Sequence, residues 1–270
     1  MNPVRYALGF IASLAAMRSV VLRLAANDFR RRYLGSAFGA AWSVIPTLVT
    51  IAVFWFVFEV GFRARPAGNH PFIVYFVVAL VPWNLLAEAI SRGSSAVTEN
   101  AYMVRKVRFR AGILPLTAIL PVIFVHGVFV LALLAFVLAY GYAPSLQWLQ
   151  LPYYAVAAFS LALGLAWIFS AVVVFFKDLE QIIGLGLQVV FWMTPIVWSR
   201  ELMPASLGWV FTLNPACYVV EGYRDSLLNH RWFWERPLET AVFWGFTALL
   251  VVVGAVVFRR LRPHFADVLA

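Results

Sequence analysis

Five stretches of this chain contain no Asp, Glu, Lys or Arg, and each is roughly as long as a helix needs to cross a lipid bilayer. They are bounded by Arg32 and Glu59, Arg65 and Glu88, Arg110 and Lys177, Glu180 and Arg200, and Glu239 and Arg259. A membrane-crossing helix needs about 20 mainly apolar residues. Hydrocarbon offers the backbone no other hydrogen-bond partner, so a crossing segment of this kind must satisfy its own amides as a helix. The third stretch holds 66 residues, enough for two spans, and "YGYAPS" (Tyr140 to Ser145) supplies the turn between them. The lengths therefore predict an all-α integral membrane protein, a single domain over 1–270. Its six transmembrane helices fall at about 36–60, 72–90, 112–140, 151–176, 182–199 and 239–258. An even number of spans puts both termini on one side.

Composition and charge settle which side and exclude several classes. With 63% hydrophobic residues, 12% charged residues and a mean hydropathy of +0.86, the chain lies far from soluble domains. Its net charge of +9 would point to nucleic acid in a soluble protein. Here the charge follows topology instead. Fifteen of the 21 Lys and Arg fall on the side of the termini: six before the first span, five in the loop 91–111, Lys177, and three in the tail. The positive-inside rule makes that side the cytoplasm of a multi-pass membrane protein, with Arg30, Arg31, Arg32 and Tyr33 as the membrane-interface anchor. Anionic lipid is the partner this charge implies, and nucleic acid is not. The single cysteine, Cys217, rules out an internal disulfide and a cysteine-built metal centre.

Two segments read as neither span nor simple loop. Before the first span, Arg5, Arg18 and Arg23 interrupt any signal-peptide core, whereas Leu14, Met17, Val21 and Leu24 share one helical face. Residues 1–32 are expected to form an amphipathic helix on the inner membrane surface. Between the last two spans, 202–220 is uncharged for 19 residues but broken by Pro204, Gly208 and Pro215. Re-entrant or interfacial helices over 200–238 are expected there. In the first span, Gly35, Gly39, Trp42 and Pro46 recur at helical spacing. Gly35, Gly39 and Pro46 thus mark a packing face, for another helix of the same chain or for a functional interface.

The stretch "RRRYLGSAFGAAWSVIPTL" resembles the first-span signature of ABC-2 type permeases that export bacterial surface polysaccharides. "YFVVALVPWNLL" (Tyr75 to Leu86), "ENAYMVRKVRF" (Glu99 to Phe109) and "LNPACYVVEGYRDSLL" (Leu213 to Leu228) resemble that family's second span, cytoplasmic loop and pre-final region, in the same order. The O-antigen, capsule and teichoic-acid exporters form the matching branch. The resemblance implies a homodimer of this chain working with two copies of a separate ABC ATPase. No lysine here follows a glycine, so the chain lacks the usual phosphate-cradling motif, and ATP and magnesium would bind the partner and not this chain. In the family a cytoplasmic loop couples the two subunits. That role would fall to 91–111, with Ser95, Thr98, Asn100, Tyr102 and Arg105 as its contact residues, although a plain positive-inside loop has the same composition. "KDLEQ" (Lys177 to Gln181) is a second candidate contact.

The aromatic content points the same way. The chain holds 11 Trp, 10 Tyr and 24 Phe, and aromatic faces stack on sugar rings, although Trp and Tyr also populate membrane interfaces. The family's first and fifth helices line its channel. Trp42, Phe54 and Trp192 are therefore candidate channel residues, followed by Trp198, Trp209 and Tyr218. His126, inside a span, is expected to hydrogen-bond across helices, and Glu88 to reach water at a span end. Arg224 and Asp225 are expected in structural ion pairs, for example with Glu221. Scattered acids argue against an intramembrane transferase, and the lack of buried carboxylates or a repeat argues against a proton-coupled carrier. An ABC-2 exporter of a drug or small lipid is the nearest rival to polysaccharide export.

Overall fold

A computed structural model describes residues 18–33, 39–63, 70–104 and 111–269. Every regular element among them is helical. Helix α1 spans Arg18–Tyr33. After a tight turn at Gly39–Ser43 come α2 (Ile45–Phe54), which continues as a π-helical turn over Trp55–Gly61, and α3 (Phe72–Ser95). Next are α4 (Leu114–Ala139), α5 (Leu151–Val173) and α6 (Leu179–Met193). Two short helices, α7 (Gly208–Leu213) and α8 (Pro215–Arg224), precede α9 (Pro237–Leu261).

Proline sets many of these starts. Pro46, Pro115, Pro152, Pro215 and Pro237 each occupy the first or second position of a helix, where a missing N–H costs nothing and a fixed φ helps. Asn214 caps α8 by accepting from the Ala216 amide at 3.0 Å. Gly141, at φ +86°, makes the predicted turn between α4 and α5.

Helix α3 is the centre of the bundle. In its most apolar window 78% of residues are buried, against 56% in α5 and 28% in each of α4 and α9. It packs on α5, α4, α6 and α8. Helix α5 in turn lies so close to α9 that a Cβ added to Gly254 would sit 2.7 Å from the Gly164 carbonyl oxygen. Helix α1 lies against α4, burying Val21 and Ala25 and setting Phe29 edge-on to Phe124 at 5.6 Å. Leu22 and Arg23, on its other side, are both exposed, and of the residues expected on one apolar face, Val21 is buried and Leu24 half-buried, while Leu14 and Met17 lie outside the described residues. At the other extreme stands α2, with only 6% of its span buried.

Among the described residues, five helical segments are long and apolar enough to cross a membrane: Ala41–Gly61, Phe72–Ser95, Ala111–Ala139, Leu146–Val173 and Pro237–Val268. The expected fifth span, 182–199, differs. Helix α6 has 15 residues, about 22 Å at 1.5 Å per residue, short of a hydrocarbon core of about 30 Å. The cause is local. Pro195 pushes Thr194 out of the helical region to φ −91°, ψ 133°, and the helix stops there. The segment 200–238 is made of short helices, as its prolines and glycine require.

Candidate functional site

Phenylalanines along one edge of α3 carry α2 and α6. Phe72 stacks on Phe58 at 5.1 Å, Phe76 stacks on Phe54 at 4.9 Å, and Trp83 meets Phe191 edge-on at 5.5 Å. Phe54 then lies 6.3 Å from Phe191 and 6.5 Å from Trp192, so the ladder brings together two residues singled out in the sequence. Each such pair is worth about 0.5–1.5 kcal/mol beyond its buried area. Val49 and Val53 of α2, Phe56 of its π-helical continuation and Trp192 of α6 are all exposed, so both elements turn apolar and aromatic side chains outward. Trp198 donates its indole N–H to the Trp192 carbonyl at 3.0 Å and touches Phe211, and Trp209 is exposed nearby in sequence on α7. Tyr218 stands apart. It is buried in the core, stacked on Phe243 at 4.5 Å, with its hydroxyl shared between Tyr153 (2.7 Å) and Thr240 (3.1 Å).

The backbone left over after α6 is held by one side chain. Arg224, 1% exposed, donates to the carbonyls of Pro195 (2.5 Å) and Ile196 (3.0 Å) and to Glu221 Oε1 (2.6 Å). It also donates to the Tyr75 carbonyl at 3.2 Å, and its Cζ lies 3.4 Å from the Tyr75 ring centroid. The expected pairing with Glu221 is therefore present, but Arg224 also closes carbonyls that Pro195 left without helical partners. Next to it Asp225 meets Arg236 at 3.1 Å, and Glu239 bridges Arg236 and Arg200 at 3.2 and 3.3 Å. Burial raises the Asp225 carboxyl to about 6 against the pull of Arg236, and raises the buried Cys217 thiol to about 12. His126 Nε2 lies 2.7 Å from the Tyr223 hydroxyl, which is the cross-helix hydrogen bond expected for it.

Toward the arginine-rich end, α2, α3 and α4 enclose a cavity of about 350 Å³. Trp42 and Pro46 line it, and Gly39 opens the turn that carries Trp42. Gly35 lies outside the described residues. Asn84 donates to Thr47 Oγ1 at 3.1 Å, and Glu88, expected merely to reach water, is paired with Arg92 at 2.6 Å on the cavity wall.

Of the loop expected to contact an ATPase, the described stretch from Ser95 to Val104 is a compact turn. Ser95 donates to Glu99 at 2.8 Å, Thr98 to the Ser95 carbonyl at 2.8 Å and Asn100 to the Ala96 carbonyl at 2.9 Å. Thr98 also donates to Glu180 at 3.4 Å, which joins this turn to "KDLEQ". Tyr102 is exposed on a short helix, Ala101–Val104, and it lines a second cavity of about 290 Å³ with Asn100 and Arg30. Arg31, Arg32 and Tyr33 complete α1, and Arg105 lies outside the described residues. Sequence reasoning missed the Arg224 latch and the Asn84–Thr47 wall. A charged residue in a largely apolar stretch was the available signal for the first, whereas nothing in one sequence pairs Asn84 with Thr47.

Comparison with known proteins agrees with this architecture. The chain is similar end to end to two proteins of Klebsiella pneumoniae named O-antigen export system permease protein RfbA, each 27% identical over 271 residues and covering 98% of both chains. A Myxococcus xanthus protein of the same name is 24% identical over 259 residues, covering 95% of this chain and 98% of its own length. The family model described as ABC-2 type transporter matches residues 19–228, from α1 through the Arg224 latch. This multi-pass membrane protein belongs to the ABC-2 type transporter family of permeases.

Proposed function

We propose that this chain is the transmembrane permease of an ATP-driven exporter that moves a lipid-linked surface polysaccharide, O-antigen foremost, across the bacterial inner membrane. The observation that carries the reading is similarity over 98% of the chain to permeases named for O-antigen export. Two features of the molecule support it. The exposed surface of α2 and α6 pairs aromatic rings with apolar side chains, chemistry suited to stacking on sugar faces. The turn 95–104 and the 177–181 loop meet through Thr98 and Glu180 and form a polar surface on which a second protein could act.

In this reading both termini and that surface face the cytoplasm, and two copies of the chain stand with their α2 and α6 faces around a continuous path. Two ATPase subunits bind ATP and magnesium and press on the 95–104 turn. Their closure shifts the population between two states of the membrane domain, and each cycle advances the polymer. The lipid passes sideways near α2 and α6. The test is deletion of the gene followed by localisation of the lipid-linked glycan. Glycan trapped inside, with its surface form lost and restored by the wild-type gene, is the expected result. Normal surface glycan in a host without a second exporter would overturn the substrate class.

A further inference from the structure

The cavity between α2, α3 and α4 is unlike the ladder. Asn84, Glu88 and Arg92 lie on one face of α3, four residues apart, and look toward Trp42 and Thr47 of the first span and its leading turn, with His126 of α4 deeper in. Polar groups on membrane-spanning helices are costly unless they pair with one another or face something polar, and the Asn84–Thr47 and Glu88–Arg92 pairs line the cavity side by side. An acyl chain gains nothing from an amide or a carboxylate. A bare anion is poorly matched, because the Glu88 carboxylate sits 2.6 Å from the Arg92 guanidinium and cancels its charge. A ring bearing several hydroxyls suits every wall. Its hydroxyls both donate and accept, so they can add to the Asn84–Thr47 and Glu88–Arg92 pairs through the acceptor and donor sites those pairs leave over, and its C–H face can lie on the Trp42 indole. A volume of about 350 Å³ is near the lower end of small-molecule sites, roughly 300–1,000 Å³.

We propose that this cavity is a sugar-binding subsite at the arginine-rich end of the membrane domain, which holds a ring of the lipid-linked glycan before it enters the path along α2 and α6. It rests on the proposed export of such a glycan. The recognition comes from α3 through Asn84, Glu88 and Arg92, and from the first span acting through Trp42 and Thr47.

The test keeps the permease whole, in a host deleted for the gene and fed a tritiated sugar that its glycan incorporates. Photoreactive benzoylphenylalanine replaces Ala87, on the cavity wall, or Leu131, which is exposed on α4 outside the cavity. Irradiation should place tritium on the permease band from position 87 and not from 131, and the label should vanish when glycan synthesis is blocked. Asn84→Leu, which removes one hydrogen-bonding group from the cavity, should lower export about tenfold, a loss equivalent to about 1.4 kcal/mol. Its amount in the membrane and its elution as a folded species should match wild type. Export failing on gene deletion while position 87 stays unlabelled, or labels only with phospholipid, would overturn the subsite and leave the function standing. Normal surface glycan after deletion would overturn both.

Discussion

Replacing Arg224 with Met tests the latch that closes the broken end of α6. The substitution keeps a long, flexible side chain but removes the donors to three carbonyls, of Tyr75, Pro195 and Ile196, and to Glu221. Interhelical hydrogen bonds in membrane proteins average about 0.6 kcal/mol each, so the carbonyls account for about 2 kcal/mol. Glu221, its side chain 14% exposed, is left as an unpaired carboxylate, and stranding one partner of a buried pair costs about 3–5 kcal/mol. Methionine packing returns about 1–2 kcal/mol of apolar burial. The net expectation is about 4 kcal/mol of destabilisation. Unfolding in mixed micelles with increasing denaturant, followed by tryptophan fluorescence, measures it. Adding Glu221→Gln should recover roughly half the loss, because the larger share comes from the stranded charge. Arg224→Lys should fall between, since a point charge cannot span all four acceptors. A single variant within about 1 kcal/mol of the parent, or a double variant no more stable than the single, would refute the reasoning.

Other expectations follow from packing and protonation. Gly254→Ala should destabilise by about 1–3 kcal/mol because its Cβ meets a backbone carbonyl that cannot swing aside, whereas Gly245→Ala, with open space around it, should be near neutral in the same unfolding assay. Cys217 is buried with its thiol pushed up to about 12, so maleimide at pH 7.5 should leave it unmodified in folded protein and label it only across the unfolding transition. Asp225 holds its proton more tightly folded than unfolded, about 6 against 3.8. Its contribution to stability is therefore fully present below about pH 4 and lost as pH rises through about 6. The melting-temperature difference between wild type and Asp225→Asn should fall over that window and stay level above it; a difference that rises would contradict the burial argument. Trp192→Ala should reduce export with unchanged membrane levels, as read by surface glycan and immunoblot.

Much of the topology was legible because it rests on local rules. Charge-free length located α2 to α5 and α9, and "YGYAPS" marked a real turn whose Gly141 takes positive φ. His126 was readable as a cross-helix partner because a lone imidazole in an apolar helix needs one, although Tyr223 could not be named from the sequence. The length of α6 was misjudged although its signal was present. Hydropathy continues through Ile196 and Trp198, and "TP" at Thr194 and Pro195 ends the helix by backbone sterics, which hydropathy does not see. Tyr218 illustrates the other limit. Whether an aromatic ring lines a surface or fills a core depends on what arrives from far away, here Tyr153 and Phe243. Glu88 pairs with Arg92 one turn on, a spacing visible in the sequence, but the cavity they face exists only after three helices assemble.

A span that is 6% buried has consequences beyond its chemistry. Within the single chain its grip is mainly the phenylalanine contacts near one end and the Thr47–Asn84 hydrogen bond near the other. Its outward side is then left to be defined by whatever comes to stand against it. Natural variation there would answer to that neighbour more than to the stability of the single chain. Substitutions on Val49, Val53 and Phe56 should therefore leave an isolated subunit sound and show their effect when the assembled complex is weighed.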